Sequence, residues 1–164
     1  FLVGAFFHPK MVLIDPLVLN TLLIISSMTA GEVIKYGCIK DSGLFDLLLS
    51  HSSFEDLKPD LPKIIARCVD IKRIVVEADQ FDTGERMLLI SVYTGHTIEQ
   101  YYQYERESHG EAVGIGMYQL TKMSEKRGLT AKGCAEKIRK ALDIYNLPTS
   151  CKLTVSELIK ANLP

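Results

Sequence analysis

Apolar residues return every third or fourth position through most of this chain, the period of helices buried along one face. The exception comes first. "MVLIDP" (Met11–Pro16) is a short β-branched run closed by Asp-Pro and reads as a buried strand. "DSGLFDLLLSH" then places leucines at helical spacing behind Asp41 or Ser42 as N-cap. "PKIIARCVDIKRIVVEAD" has Pro62 in a first turn and one broad stripe of Ile64, Ile65, Cys68, Val69, Ile71, Val75 and Ala78. "GERMLLISVYTGHTIEQYY" predicts a further helix, loosened around Thr94-Gly95. "HGEAVGIGMYQLTKMSEKRG" predicts a long buried helix that stops at Gly128, with Met117 and Met123 in the core. "TAKGCAEKIRKALDIYN" follows with Thr130 as its N-cap, and "TVSE" opens a last short helix on the capping-box pair Thr154 and Glu157. The pattern predicts a mainly α fold: a strand-bearing start, then roughly six helices.

Composition narrows the partners more than the fold. Across 164 residues, 19 Lys and Arg against 20 Asp and Glu leave a net charge of -1. That balance gives no electrostatic case for nucleic acid or a membrane surface. Cys38, Cys68, Cys134 and Cys151 are far apart with no CxxC pair, the usage of reduced thiols in a cytosolic protein. The apolar run Phe1–Phe7 breaks at His8-Pro9-Lys10 and has no basic region before it, so it reads as neither signal peptide nor span. A start in mid-run without Met is expected of a chain that begins inside a domain.

Two of the four histidines, His96 and His109, each stand beside a glycine. Ser108 and Glu111 have capping-box spacing, which sets His109 at the first helical position. The positive end of a helix disfavours a cation there and suits the neutral imidazole that a metal needs. The plainer alternative is a helix-start histidine that hydrogen-bonds locally. Glu32 precedes Lys35 by three residues in "AGEVIKYG" and shares its helix face. That pair is either a surface ion pair of small worth or a buried one that needs a reason. Lys72, Asp82 and Arg86, taken singly, read as solvated charges. One glutamate and two histidines are a hydrolase-like or dehydrogenase-like metal set, with a fourth position open for water or substrate. A third nitrogen ligand belongs one turn from His96, where the chain offers Val92 and Tyr93.

Taken in order, "VGAFFHPKMVLIDPLVLNTL", "AGEVIKYG", "DTGERMLL", "GHTIE" and "HGEAVGIGM" resemble the carboxy-terminal part of the 3-dehydroquinate synthase family over nearly the whole chain. The resemblance implies the multi-helix metal-binding domain of a two-domain fold, here residues 25–164, with residues 1–24 a remnant of the Rossmann-like NAD-binding domain. It implies a cytoplasmic phosphorus-oxygen lyase of the shikimate pathway for aromatic amino acids. Such an enzyme converts the seven-carbon phosphate DAHP to 3-dehydroquinate, using NAD and zinc or cobalt. By the same resemblance Glu32 and His109 match metal ligands, and Lys35 matches a lysine that contacts substrate hydroxyls. Lys72 and Arg86 match the pair that grips the substrate carboxylate, and Asp82 stands where a substrate-facing glutamate is usual.

Departures from the family pattern are as informative. The double Gly-His motif keeps only its second half in "LLISVYTGHTIE". Counted forward from Arg86, the lost asparagine falls at Ile90 and the lost metal histidine at Tyr93. Counted back from Glu99, His96 becomes the second, phosphate-facing histidine. Phe1 takes the place of a substrate-binding asparagine, and the "TLPxR" segment reads "TLLIISSMT". The glycine-rich NAD-binding half and the lysine-containing tail are not within these residues. The expectation is therefore a truncated, inactive part that self-associates, or forms a homodimer, with Phe6, Phe7 and the Leu22–Ile25 run on its apolar face. Alternatives are a degenerate non-catalytic helical domain and a related metal-dependent polyol dehydrogenase. The dehydrogenase has no need of Lys72 and Arg86 for a carboxylate.

Overall fold

The computed structural model describes residues 10–17, 25–78, 90–102 and 107–152, and for 25–29 and 90–94 the backbone alone. These form α1 (Ile25–Ile39), α2 (Ser42–Ser50), α3 (Phe54–Leu57) running into a 3-10 turn (Lys58–Asp60), and α4 (Leu61–Ala78). After the gap come α5 (Ile90–Tyr101), α6 (His109–Lys126) and α7 (Cys134–Ile144). Asp82, Arg86, the "TVSE" helix, Phe6, Phe7 and Leu22–Ile24 lie outside the described residues, as does the side chain of Ile25.

Helix α6 is the centre, with α1, α5 and α7 packed around it. The sequence allows this because Gly110, Ala112, Val113, Gly114, Ile115, Gly116 and Met117 are all buried. Small residues on several sides let three neighbours approach one axis. The main core joins α1, α2, α4, α6 and α7 through residues such as Ile34, Leu44, Leu48, Ile64, Leu142 and Tyr145. A smaller cluster of Ile98, Ala112 and Ile115 fastens α5 to α6.

Asp41 is the N-cap of α2, accepting from the Leu44 amide at 2.9 Å. The same carboxylate receives Arg67 of α4, with Nε at 2.9 Å and Nη2 at 2.5 and 2.6 Å. At the other end of α2, the Tyr145 hydroxyl donates to the Leu48 carbonyl at 2.7 Å in the buried core. A last-turn carbonyl without an intrahelical partner is thus satisfied from α7's end of the chain.

Four expectations change. Met11–Pro16 is not a strand and is not buried: Met11 and Leu13 are 81% and 89% exposed, and no strand occurs among the described residues. A strand needs a ladder partner, and none is described beside it. Helix α5 runs without a break through Thr94-Gly95. Gly95 costs helix propensity but lets α5 sit against Val113 of α6. Thr130 does not cap α7, which starts at Cys134 behind Gly133 at φ 93°. Thr130 instead bonds the Ser124 hydroxyl at 2.6 Å, and Glu125 Oε1 receives the Ala135 amide at 2.7 Å, capping α7 from α6. The α4 stripe is narrower than its apolar content: Ile64 and Val75 are buried, whereas Val69 is 42% exposed. Five residues past Ile64, Val69 points about 140° away from it. Helix α6 does end as its sequence reads, with Gly128 left-handed at φ 71°.

Candidate functional site

Two helix crossings build the site, and glycine makes both. On α1, a Cβ added to Gly31 would stand 2.0 Å from the carbonyl oxygen of Gly110 on α6. Backbones that close force the next residues, Glu32 and His109, to face each other. On α5, a Cβ at Gly95 would already meet Val113 Cγ2 at 3.0 Å and its amide nitrogen at 3.1 Å. That contact fixes the height of His96 and Glu99 beside the start of α6. Ser108 holds the helix start, donating its amide and hydroxyl to Glu111 Oε2 at 2.7 and 2.8 Å.

Four side chains converge there. His109 Nε2 lies 3.4 Å from Glu32 Oε1, and His109 Nδ1 lies 3.0 Å from Glu99 Oε2. The same Glu99 oxygen is 3.0 Å from His96 Nδ1. The two imidazole rings are 5.1 Å apart, centre to centre. Glu99 is buried, whereas the His96 side chain is 56% exposed. Glu32 Oε2 accepts from Lys35 Nζ at 2.5 Å. Its other oxygen, Oε1, is buried and has no hydrogen-bond partner among the described residues.

Lys35 is nearly enclosed, and burial is the main reason its pKa is lowered from the ordinary lysine value. Glu32 opposes that shift by favouring the ammonium, and Lys72 of α4 adds to it as a second positive charge. Lys35 also stands over the Tyr36 ring at 4.8 Å. Burial, with Glu32 nearby, pushes the Tyr36 hydroxyl up to about 12. Lys72 itself is exposed.

The structure therefore brings Glu32, Lys35, His96 and His109 together and sets Lys72 within electrostatic reach of Lys35. Asp82 and Arg86 lie outside the described residues. Glu99, the mark from which His96 is counted, was not among the candidate site residues. Its spacing of three from His96 on one helix was the available signal.

Two sets of atoms can hold a metal ion. His96, Glu99 and His109 each offer a ligand atom, all within 4.8 Å of one another. The second set is Glu32 Oε1 with His109 Nε2. A buried carboxylate oxygen without a partner is costly, and it is the expected state of a ligand facing its ion's place. Two ligands of a tetrahedral zinc at about 2.0–2.1 Å stand about 3.4 Å apart, the span between these atoms. The donor set fits such an ion. A separate, mostly apolar cavity of about 400 Å³ is lined by Cys38, Phe45, Met117, Cys134 and Ile138, and shares only Lys35 with this cluster.

The fold is thus a helical domain whose crossing helices present a glutamate and a histidine at metal-ligand separation. A sequence model described as the 3-dehydroquinate synthase C-terminal domain matches residues 29–163, and the chain belongs to this family. It is 52% identical over 151 residues to a 3-dehydroquinate synthase of Clostridium beijerinckii, covering 90% of this chain and 43% of that protein. A 3-dehydroquinate synthase of Clostridium botulinum is 49% identical over 96% of this chain and 46% of its own length. One of Streptococcus mutans is 41% identical over 90% of this chain and 42% of its own. The chain spans less than half the length of these relatives. Among the described residues, no helix is long and apolar enough to cross a membrane.

Proposed function

We propose that this chain carries the metal-binding part of a 3-dehydroquinate synthase, with its metal set reduced to two protein ligands. The observation that supports this best is Glu32 Oε1, without a hydrogen-bond partner among the described residues and 3.4 Å from His109 Nε2. Glu32 and His109 would hold zinc or cobalt. The ion, when bound, supplies Lewis-acid polarisation of the hydroxyl that NAD oxidises in DAHP. Lys35 would donate to substrate hydroxyls. Its enclosure makes it release a proton more readily than a solvated lysine. Lys72 and Arg86 would take the carboxylate, with Asp82 facing the ring. A polyol dehydrogenase has no use for that cation pair. His96, open to solvent, would meet the phosphate.

Tyr93, one turn before His96 on α5, supports a second reading: a domain that retains this shape without the chemistry. The test is a chimera joining this chain to the unmatched part of the Clostridium beijerinckii relative, with and without Tyr93→His. The synthase reading expects NAD-dependent phosphate release in the Tyr93→His chimera that falls at least tenfold in Lys72→Ala. A folded, zinc-loaded Tyr93→His chimera that releases none supports the non-catalytic reading.

A further inference from the structure

We infer that Glu99 is a positioning residue that fixes the tautomer of both His96 and His109. One oxygen, Glu99 Oε2, lies 3.0 Å from the Nδ1 of each ring. An ionised carboxylate only accepts hydrogen bonds, so both rings carry their proton on Nδ1. Each Nε2 is left with a free lone pair. On His109 that lone pair is on the atom 3.4 Å from Glu32 Oε1.

Glu99 itself is well held. Its neighbour Ile98 is wholly buried against Ala112 and Ile115, and Thr97 and Glu99 are buried as well. The two contacts also have hydrogen-bond length, shorter than the separation of about 3.4 Å between ligands of one zinc ion. Glu99 is thus better suited to orient the imidazoles than to bind an ion beside them. A carboxylate behind a metal-binding histidine fixes the ring and raises its basicity. Here one carboxylate serves two rings, one directed toward Glu32 and one open to solvent. The consequence for metal binding rests on the function proposed above; the tautomers do not.

Long-range proton–nitrogen correlation spectra of the metal-free chain, at a pH where both rings are neutral, read the tautomers directly. The expected result is Nδ1–H at His96 and His109. Glu99→Ala should return both to mixtures rich in Nε2–H, the form a solvated imidazole prefers. Glu99→Gln, whose amide oxygen still accepts, should retain Nδ1–H in part. Zinc affinity should fall about 10–100-fold in Glu99→Gln. Zinc loading should move the His109 Nε2 resonance. Nε2–H at both rings in the unmutated chain overturns the inference without any variant. Zinc on His109 Nδ1 overturns it too. Nδ1–H at both rings with no zinc response at His109 leaves the inference standing and removes the metal reading instead.

Discussion

Gly31 and Gly110 touch backbone to backbone where α1 crosses α6: a Cβ on Gly31 would lie 2.0 Å from the Gly110 carbonyl oxygen and 2.9 Å from its Cα. Glu32 and His109 meet because these glycines precede and follow them in sequence. The site's geometry is therefore a property of the crossing, and side-chain choice at positions 32 and 109 comes second.

Gly31→Ala tests that dependence. In an open helix the change gains about 1 kcal/mol of propensity. Here it must push the α1 and α6 backbones apart, at or above the about 1–3 kcal/mol typical of overpacking. Net destabilisation of at least about 2 kcal/mol is expected in urea unfolding, with loss of zinc binding. Gly114→Ala is the control, because among the described residues its Cβ meets only the Leu142 Cδ2 methyl at 2.8 Å and should cost far less. Equal midpoints for the two variants would show that the α1–α6 crossing can relax.

Asp41 should give the fold an acid-sensitive joint. Its hydrogen bonds from Arg67, helped by the Leu44 amide, hold its carboxyl below the usual aspartate range. A folded pKa below the unfolded value of about 3.9 stabilises above about pH 5 and loses that contribution as pH falls through the folded value. Urea midpoints of wild type and Asp41→Asn should therefore differ at pH 6 and converge toward pH 3. A gap that stays constant across this range would mean that the carboxyl's ionisation contributes nothing.

Tyr145→Phe should cost about 1–3 kcal/mol, because it strands a buried carbonyl of α2 while leaving the ring in place. Chemical denaturation measures it. A change below a few tenths of a kcal/mol, with about 1 kcal/mol typical of a hydrogen bond, would show that Leu48 finds another donor.

Local signals made much of the fold legible. Asp41, the Ser108–Glu111 pair and Gly128 mark helix ends at positions the sequence states, because caps act within one turn. Thr130 misled because α7 starts only at Cys134, and its first turn is capped across space by Glu125, ten residues before Ala135. Met11–Pro16 has strand composition, but pairing is a tertiary property that a six-residue run does not contain. The site was half legible. Glu32 and His109 are 77 positions apart and come together only through the Gly31–Gly110 contact, which no spacing rule reports. Glu99 lay in plain view beside His96, yet its second contact, to His109, belongs to the packing of α5 on α6.

Zinc affinity by calorimetry tests the central claim, that Glu32 and His109 form two corners of a metal site whose third corner belongs to α5. Tyr93 lies three residues before His96 on that helix, the spacing that shares a face. Tyr93→His should bind zinc at least tenfold more tightly than wild type, about 1.4 kcal/mol. Cobalt should then give a tetrahedral visible spectrum. Glu32→Gln in the same background should abolish the gain, while His96→Ala should leave it intact. No gain on Tyr93→His, or a gain indifferent to Glu32, would contradict the account.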